Sequence, residues 1–200
     1  MLLLRILLLS MGVLSLLACS PVKTVVANEY QLSMFSPKHY NSNPKSTTLL
    51  VTTTEAVSGY DTEAMLYVKK PFKIEAFAKN AWLSPPASML YPLITQSLQR
   101  SGEFYAVVTS PYSERTDYRL DTQLIRLQQN FLKKPSVIEL VVKLVLTDVA
   151  SNKVLASTII SRRVPCMMDS PYGGVLAANK ASEQLTAMGT DFVLRHINHR

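Results

Sequence analysis

Ile138-Glu139-Leu140-Val141-Val142-Lys143-Leu144-Val145-Leu146 is the stretch on which the fold turns. Ile138, Leu140, Val142, Leu144 and Leu146 fall on one side of an extended chain. Glu139, Val141, Lys143 and Val145 fall on the other, and Thr147 continues that mixed row. Alternation with period two in apolar and β-branched residues predicts a strand with one face buried. Residues 150–153 read as a turn and 154–164 as the returning strand, so the pair forms a hairpin.

Upstream, Tyr118, Leu120 and Leu124 alternate with Arg119, Asp121 and Gln123, a further strand. Residues 104–109 read as another. Before them a helix is predicted: Ser84 suits the N-cap, Pro85 and Pro86 suit the first turn, and Met89, Leu90, Leu93, Ile94 and Leu98 share one face. Pro92 removes a backbone donor inside this segment, so the helix either begins late or kinks; Gly102 ends it. Earlier still, Tyr30, Leu32 and Met34 alternate with polar residues as a first strand, 36–45 is a Pro- and Asn-containing loop, and 47–54 is a second strand. Residues 58–61 form a turn, and 65–68 and 73–77 are two strands around Pro71. In the latter, Ile74, Ala76 and Ala78 take one face and Glu75 and Phe77 the other. Downstream of the hairpin, a helix from about Gly174 carries Ala178, Ala181, Leu185, Met188 and Phe192 at spacings of three and four, with Arg195 and His196 in its last turn. Strands in blocks, with two principal helices between and after them, predict an α+β domain: a mostly antiparallel mixed sheet packed by two helices.

The amino terminus has the parts of an export signal: Arg5, then an apolar run from Ile6 to Leu17. Leu16-Leu17-Ala18-Cys19 resembles a bacterial lipobox. Cleavage before Cys19, after its thiol has taken a diacylglycerol, gives residues 1–18 as signal peptide, 19–27 as tether and 28–200 as one domain. The apolar run is short for a membrane-spanning helix. Ser20, rather than Asp, after the cysteine favours the outer membrane in enterobacterial-type sorting.

The formal net charge is +7. Basic balance suits nucleic acid, anionic lipid or an acidic protein. An exported chain meets little nucleic acid, so the last two remain, beside a simple solvated basic surface. With Cys19 lipidated, Cys166 has no partner within the chain and is expected to be a buried or half-buried thiol.

Catalytic and metal constellations are not apparent. His196 and His199 share a helical spacing but need further ligands. Cys166-Met167-Met168 offers soft sulfur donors for Cu(I), but reads better as a core thiol with packing methionines. Gly173-Gly174 resembles a fragment of a phosphate loop but lacks the following Lys-Ser or Lys-Thr. Trp82 is either a core residue beside Pro85 and Pro86 or an exposed anchor; Tyr60, Met65, Tyr67 and Phe72 form either core or a partner surface.

Several segments in order carry a resemblance: Gly59-Tyr60, Met65-Leu66-Tyr67, Pro71-Phe72-Lys73-Ile74, Phe77-Ala78-Lys79-Asn80-Ala81-Trp82, Pro85-Pro86, Ser101-Gly102-Glu103-Phe104, Asp117-Tyr118-Arg119-Leu120 and Ala177-Ala178-Asn179-Lys180-Ala181. Together, over 30–194 and behind a lipobox, they resemble the ABC-type transport auxiliary lipoproteins. The chain departs at Val68-Lys69, where members often carry Arg after the Tyr. The resemblance implies a fold similar to the amino-terminal domain of the TolB family. It also implies partnership with an MCE-domain protein and an ABC permease and ATPase, and movement of lipids or other hydrophobic compounds between membranes. Ring-like homo-oligomers occur in the family. No cofactor is implied beyond the covalent lipid on Cys19. Two other readings stand beside this one: a lipid carrier with its own apolar cavity, and a periplasmic hydrolase for which His39 is the one histidine away from the tail.

Overall fold

A computed structural model describes residues 28–40, 46–111 and 115–197. The strands are β1 (Asn28–Tyr30), β2 (Thr48–Val51), β3 (Glu55–Ala56), β4 (Ala64–Lys70), β5 (Lys73–Trp82), β6 (Ala106–Thr109), β7 (Tyr118–Asn130), β8 (Val137–Asp148) and β9 (Lys153–Pro165). The helices are α1 (Pro86–Arg100) and α2 (Pro171–Ile197).

β7 organises the sheet. One of its edges carries β8 antiparallel along its whole length, and β9 lies antiparallel beyond. The other edge takes β2, β3 and β4 in succession, each parallel. β6 lies outside β2, β5 outside β4, and β1 outside β5. The sheet is therefore mixed. Its long ladders are antiparallel, and the short pairings at β2, β3, β4 and β1 are parallel.

Both helices pack on one face. Ile138, Leu140, Val142, Leu144 and Leu146 are buried there, as the alternation requires. They meet Leu49, Val51, Leu120 and Leu124 of neighbouring strands, Leu90, Leu93 and Leu98 of α1, and Ala178, Ala181, Leu185 and Phe192 of α2. Burying a side chain of this size stabilises by about 1.5–3 kcal/mol. Trp82 is buried in the same core.

Five expectations are corrected. The first strand ends at Tyr30, where the alternation of Tyr30, Leu32 and Met34 begins; backbone groups after it bond to α2 instead of a strand. The N-cap of α1 is Pro85, not Ser84, and no side chain caps it; the ring of Pro86 supplies the helical φ, and Ser88 N donates to Pro85 O. α1 starts before Pro92 and continues through it, so of the two alternatives the late start does not occur. The residue whose carbonyl loses a donor, Ser88, lies on the exposed side. α2 begins at Pro171 rather than Gly174, with the Ser170 hydroxyl accepting from Gly173 N at 3.1 Å. Met188, expected on the buried stripe, is 41% exposed at its margin.

Candidate functional site: three surfaces

Cys19, the candidate lipidation residue, and His199 lie outside the described residues. The other candidates are placed as follows. His39 closes α1: its Nδ1 donates to the Arg100 carbonyl at 3.0 Å. Its ring lies where a Cβ on Gly102 would sit, and Gly102 has φ +74°. Only glycine meets both demands without strain. His196 donates from Nδ1 to Phe192 O at 2.8 Å, a bond internal to its helix. Among the described residues, no group of three or more His, Cys, Asp or Glu is arranged to hold a metal ion.

Cys166 is buried against Gln129 and Ser136, and burial pushes its thiol up from the usual range. Met167 and Met168 do not pack with it. They are 89% and 47% exposed, because the chain leaves β9 at Pro165 and passes over the surface to α2. Gly173 and Gly174 form no phosphate loop. They are buried in the first turn of α2, where an added Cβ would lie 2.1 Å from Met168 O and 2.5 Å from Gln129 Oε1. The glycines allow close approach of backbone to neighbours.

Three surfaces stand out among the described residues. The first is a cleft of about 860 Å³ between β9 and the end of α2. Ile159, Ile160, Met188, Phe192 and Leu194 line it, with Tyr40, Glu103, Asp191 and Arg195 among its polar members. Lys38 approaches Asp191 at 3.0 Å, and the Tyr40 hydroxyl donates to the same carboxylate oxygen. Burial pushes Asp191 up, but the hydrogen bonds from Tyr40 and Lys38 outweigh it and hold the carboxyl below its ordinary value.

The second is a polar cluster on the sheet face away from the helices. Glu139 is buried there, accepting from Gln128 at 3.0 Å and Asn130 at 3.3 Å, with Arg163 and Arg126 at 3.5 and 3.7 Å. Tyr60 donates to Gln128 at 2.7 Å, so the turn at 58–61 is stapled over this face. Burial raises the Tyr60 phenol.

The third lies at one end of the sheet. The β4–β5 turn carries Phe72, fully exposed at φ +64°, and Ile74 is half-exposed beside it. Tyr67, Phe77 and Phe131 form an aromatic trio below, with centroids 4.4–6.2 Å apart. The Lys69 ammonium lies over Tyr67 and Phe131 at 4.9 and 5.4 Å. Of the residues left open between core and surface, Met65 is buried, Tyr60 and Tyr67 are half-buried, and Phe72 is solvent-facing. In β5 the apolar row Ile74, Ala76 and Ala78 is the outward one; Glu75 and Phe77 turn inward.

A family model described as the ABC-type transport auxiliary lipoprotein component matches residues 30–188. The chain belongs to that family. Membership makes it an auxiliary lipoprotein of ABC-type transport and places it in the cell envelope. No curated protein matches it in sequence. Among solved structures it is similar to protein XCC0632 from Xanthomonas campestris, with 18% identity and a TM-score of 0.75 over 85% of this chain and 96% of that one. It is also similar to a hypothetical protein from Chlamydia trachomatis, with 8% identity and a TM-score of 0.53 over 76% and 98% of the two chains. At these identities the likeness is one of fold. Among the described residues of this family member, no helix is long and apolar enough to cross a membrane.

Proposed function

We propose that this lipoprotein is a non-catalytic component of an ABC-type system that moves lipids or other hydrophobic compounds between the two membranes of a diderm envelope. Lipid on Cys19 fixes it to the outer membrane on the periplasmic side, and residues 28–200 act as one domain without a cofactor. That domain presents a surface to an MCE-domain protein, which connects it to the permease and ATPase, and it assembles with further copies of itself. The observation that carries this reading is the family match over 30–188 standing behind Leu16-Leu17-Ala18-Cys19. The test is affinity capture of the tagged, full-length lipoprotein from crosslinked envelopes. Recovery of an MCE-domain protein supports the reading; repeated capture of the intact chain without one overturns it.

The second reading, a carrier that binds lipid itself, has the cleft between β9 and α2 in its favour, since Ile159, Met188 and Phe192 give it an apolar lining. Native mass spectrometry of gently extracted protein separates the two. A stoichiometric phospholipid supports the carrier, and bare protein removes it.

A further inference from the structure

We infer that the end of the sheet bearing Phe72 is a second, peripheral contact with an anionic lipid surface, made by the protein body itself. It rests on the lipid-anchored reading only for the side from which the membrane approaches.

Three connections meet at this end. β4 and β7 run parallel there, Val68 beside Asn130, so the β4–β5 turn adjoins the β7–β8 connection. Phe131 N donates to Val68 O at 2.9 Å. The β9–α2 connection joins them through Cys166 N to Ser136 O at 2.7 Å and Ser136 N to Asp169 Oδ1 at 2.7 Å. Each connection exposes large apolar side chains: Phe72, Leu132, Met167 and Met168. A lone exposed apolar residue is ordinary, but a group at one end with a polar rim marks an interaction surface.

The rim is basic. Lys69, Lys70, Lys73, Lys133 and Lys134 are all exposed there. The opposing groups are Glu75, paired with Lys73 at 2.9 Å, and Asp169, whose carboxylate is occupied by Ser136 N. A lysine can lay its stem along apolar surface and extend its ammonium group, which suits phosphate headgroups above acyl chains. Each lysine near an anionic bilayer strengthens binding about fivefold.

Chain direction chooses a membrane over a protein partner. β1 is parallel to β5, with Asn28 beside Asn80, so the chain enters β1 from the side of Lys73 and Phe72. From Asn80 back to Lys73 is about 24 Å of strand. The nine residues 19–27 can span at most about 30 Å. The anchor point can therefore lie level with Phe72, so a bilayer holding the anchor is within reach of this end of the body.

The experiment uses the full lipidated chain carrying Phe72→Trp, with wild type as the background for buried Trp82. Vesicles of equal parts phosphatidylethanolamine and phosphatidylglycerol, with or without brominated acyl chains, are compared with phosphatidylcholine alone. The expected result is a blue shift and bromine quenching of the emission added by F72W on the anionic vesicles, weakened in phosphatidylcholine and at high salt. Adding Lys69→Glu and Lys70→Glu removes the quenching while the chain still floats with the vesicles. Flotation reads the anchor, and quenching reads this end of the body. Emission from F72W indifferent to bromine on anionic vesicles overturns the proposal, whether or not the chain floats. So does emission that shifts only when a partner protein is added, which would assign the surface to that protein.

Discussion

Asn179, buried in the amino-terminal third of α2, holds the backbone of Ser33 where an alternating pattern calls for a neighbouring strand. Its Oδ1 accepts from Ser33 N at 2.8 Å and Met34 N at 3.2 Å, and its Nδ2 donates to Gln31 O at 3.1 Å. One side chain thus replaces part of a ladder. Asn179→Ala leaves two backbone donors and an acceptor without these partners, so a loss of about 2–3 kcal/mol is expected. Urea unfolding checks it; an unchanged midpoint would show that the segment is held by other contacts.

The start of α2 has little room for an added methyl group. In Gly173→Ala the Cβ meets the backbone oxygen of Met168, which cannot move without displacing the β9–α2 connection. In Gly174→Ala it meets the amide end of Gln129, a side chain with some freedom. Overpacking of this kind costs about 1–3 kcal/mol. Gly173→Ala is expected at or above the upper end and Gly174→Ala below it, read as lowered melting temperature. Equal and negligible effects would refute the packing role of both glycines.

The Lys38–Asp191–Tyr40 contact ties the segment before residue 41 to the last turns of α2, and it depends on pH. The folded state holds the Asp191 carboxyl below its unfolded value of about 4. The charged form therefore contributes stability above that value, and the contribution is lost as pH falls through the folded pKa. Asp191→Asn should lower stability by under about 1 kcal/mol at neutral pH, since both charged partners are part-exposed. The gap from wild type should close in acid below about pH 4. Thermal melts of both proteins across that range decide it; a gap constant with pH would mean that charge plays no part.

Reaction of Cys166 with a maleimide needs both thiolate and access. It is buried and its thiol is pushed up, so labelling of the native protein should be slow and labelling in urea fast. Rapid native labelling, read by mass, would show that the β8–β9 end opens readily.

Cys19→Ala tests the anchor. The variant should either appear in the soluble periplasmic fraction or accumulate with residues 1–18 attached. A fractionation pattern identical to wild type would count against lipidation at that residue.

The sheet and both helices were legible because their signals are local. Ile138 to Leu146 alternate without interruption, and Leu90, Leu93, Ile94 and Leu98 repeat at helical spacing. The misplaced features have non-local causes. Leu32 is buried, as an alternating strand would have it, but its neighbours bond to a helix far along the chain. Met167 and Met168 carry no periodicity, and their exposure follows from where β9 hands over to α2. Asp191, Gln129 and Glu139 carry no local signal of their structural roles, and Asn179 carries little. A polar side chain announces its burial only once its partner is known. Asn179 alone had a trace, as a polar residue among the small ones of Ala177-Ala178-Asn179-Lys180-Ala181.

By itself, the amino-acid order determined the α+β class, the β8–β9 hairpin, the two helices and the resemblance to a lipoprotein family. Each is written in residue spacing or in a short motif. Only the tertiary structure decided that β2, β3 and β4 follow one another along one edge of β7, each parallel to it, and that Phe72, Leu132 and Met167 share one end of the sheet. Those residues come from three connections far apart in the chain. Pairing of distant strands depends on how one buried face fits another, and no local pattern encodes that fit.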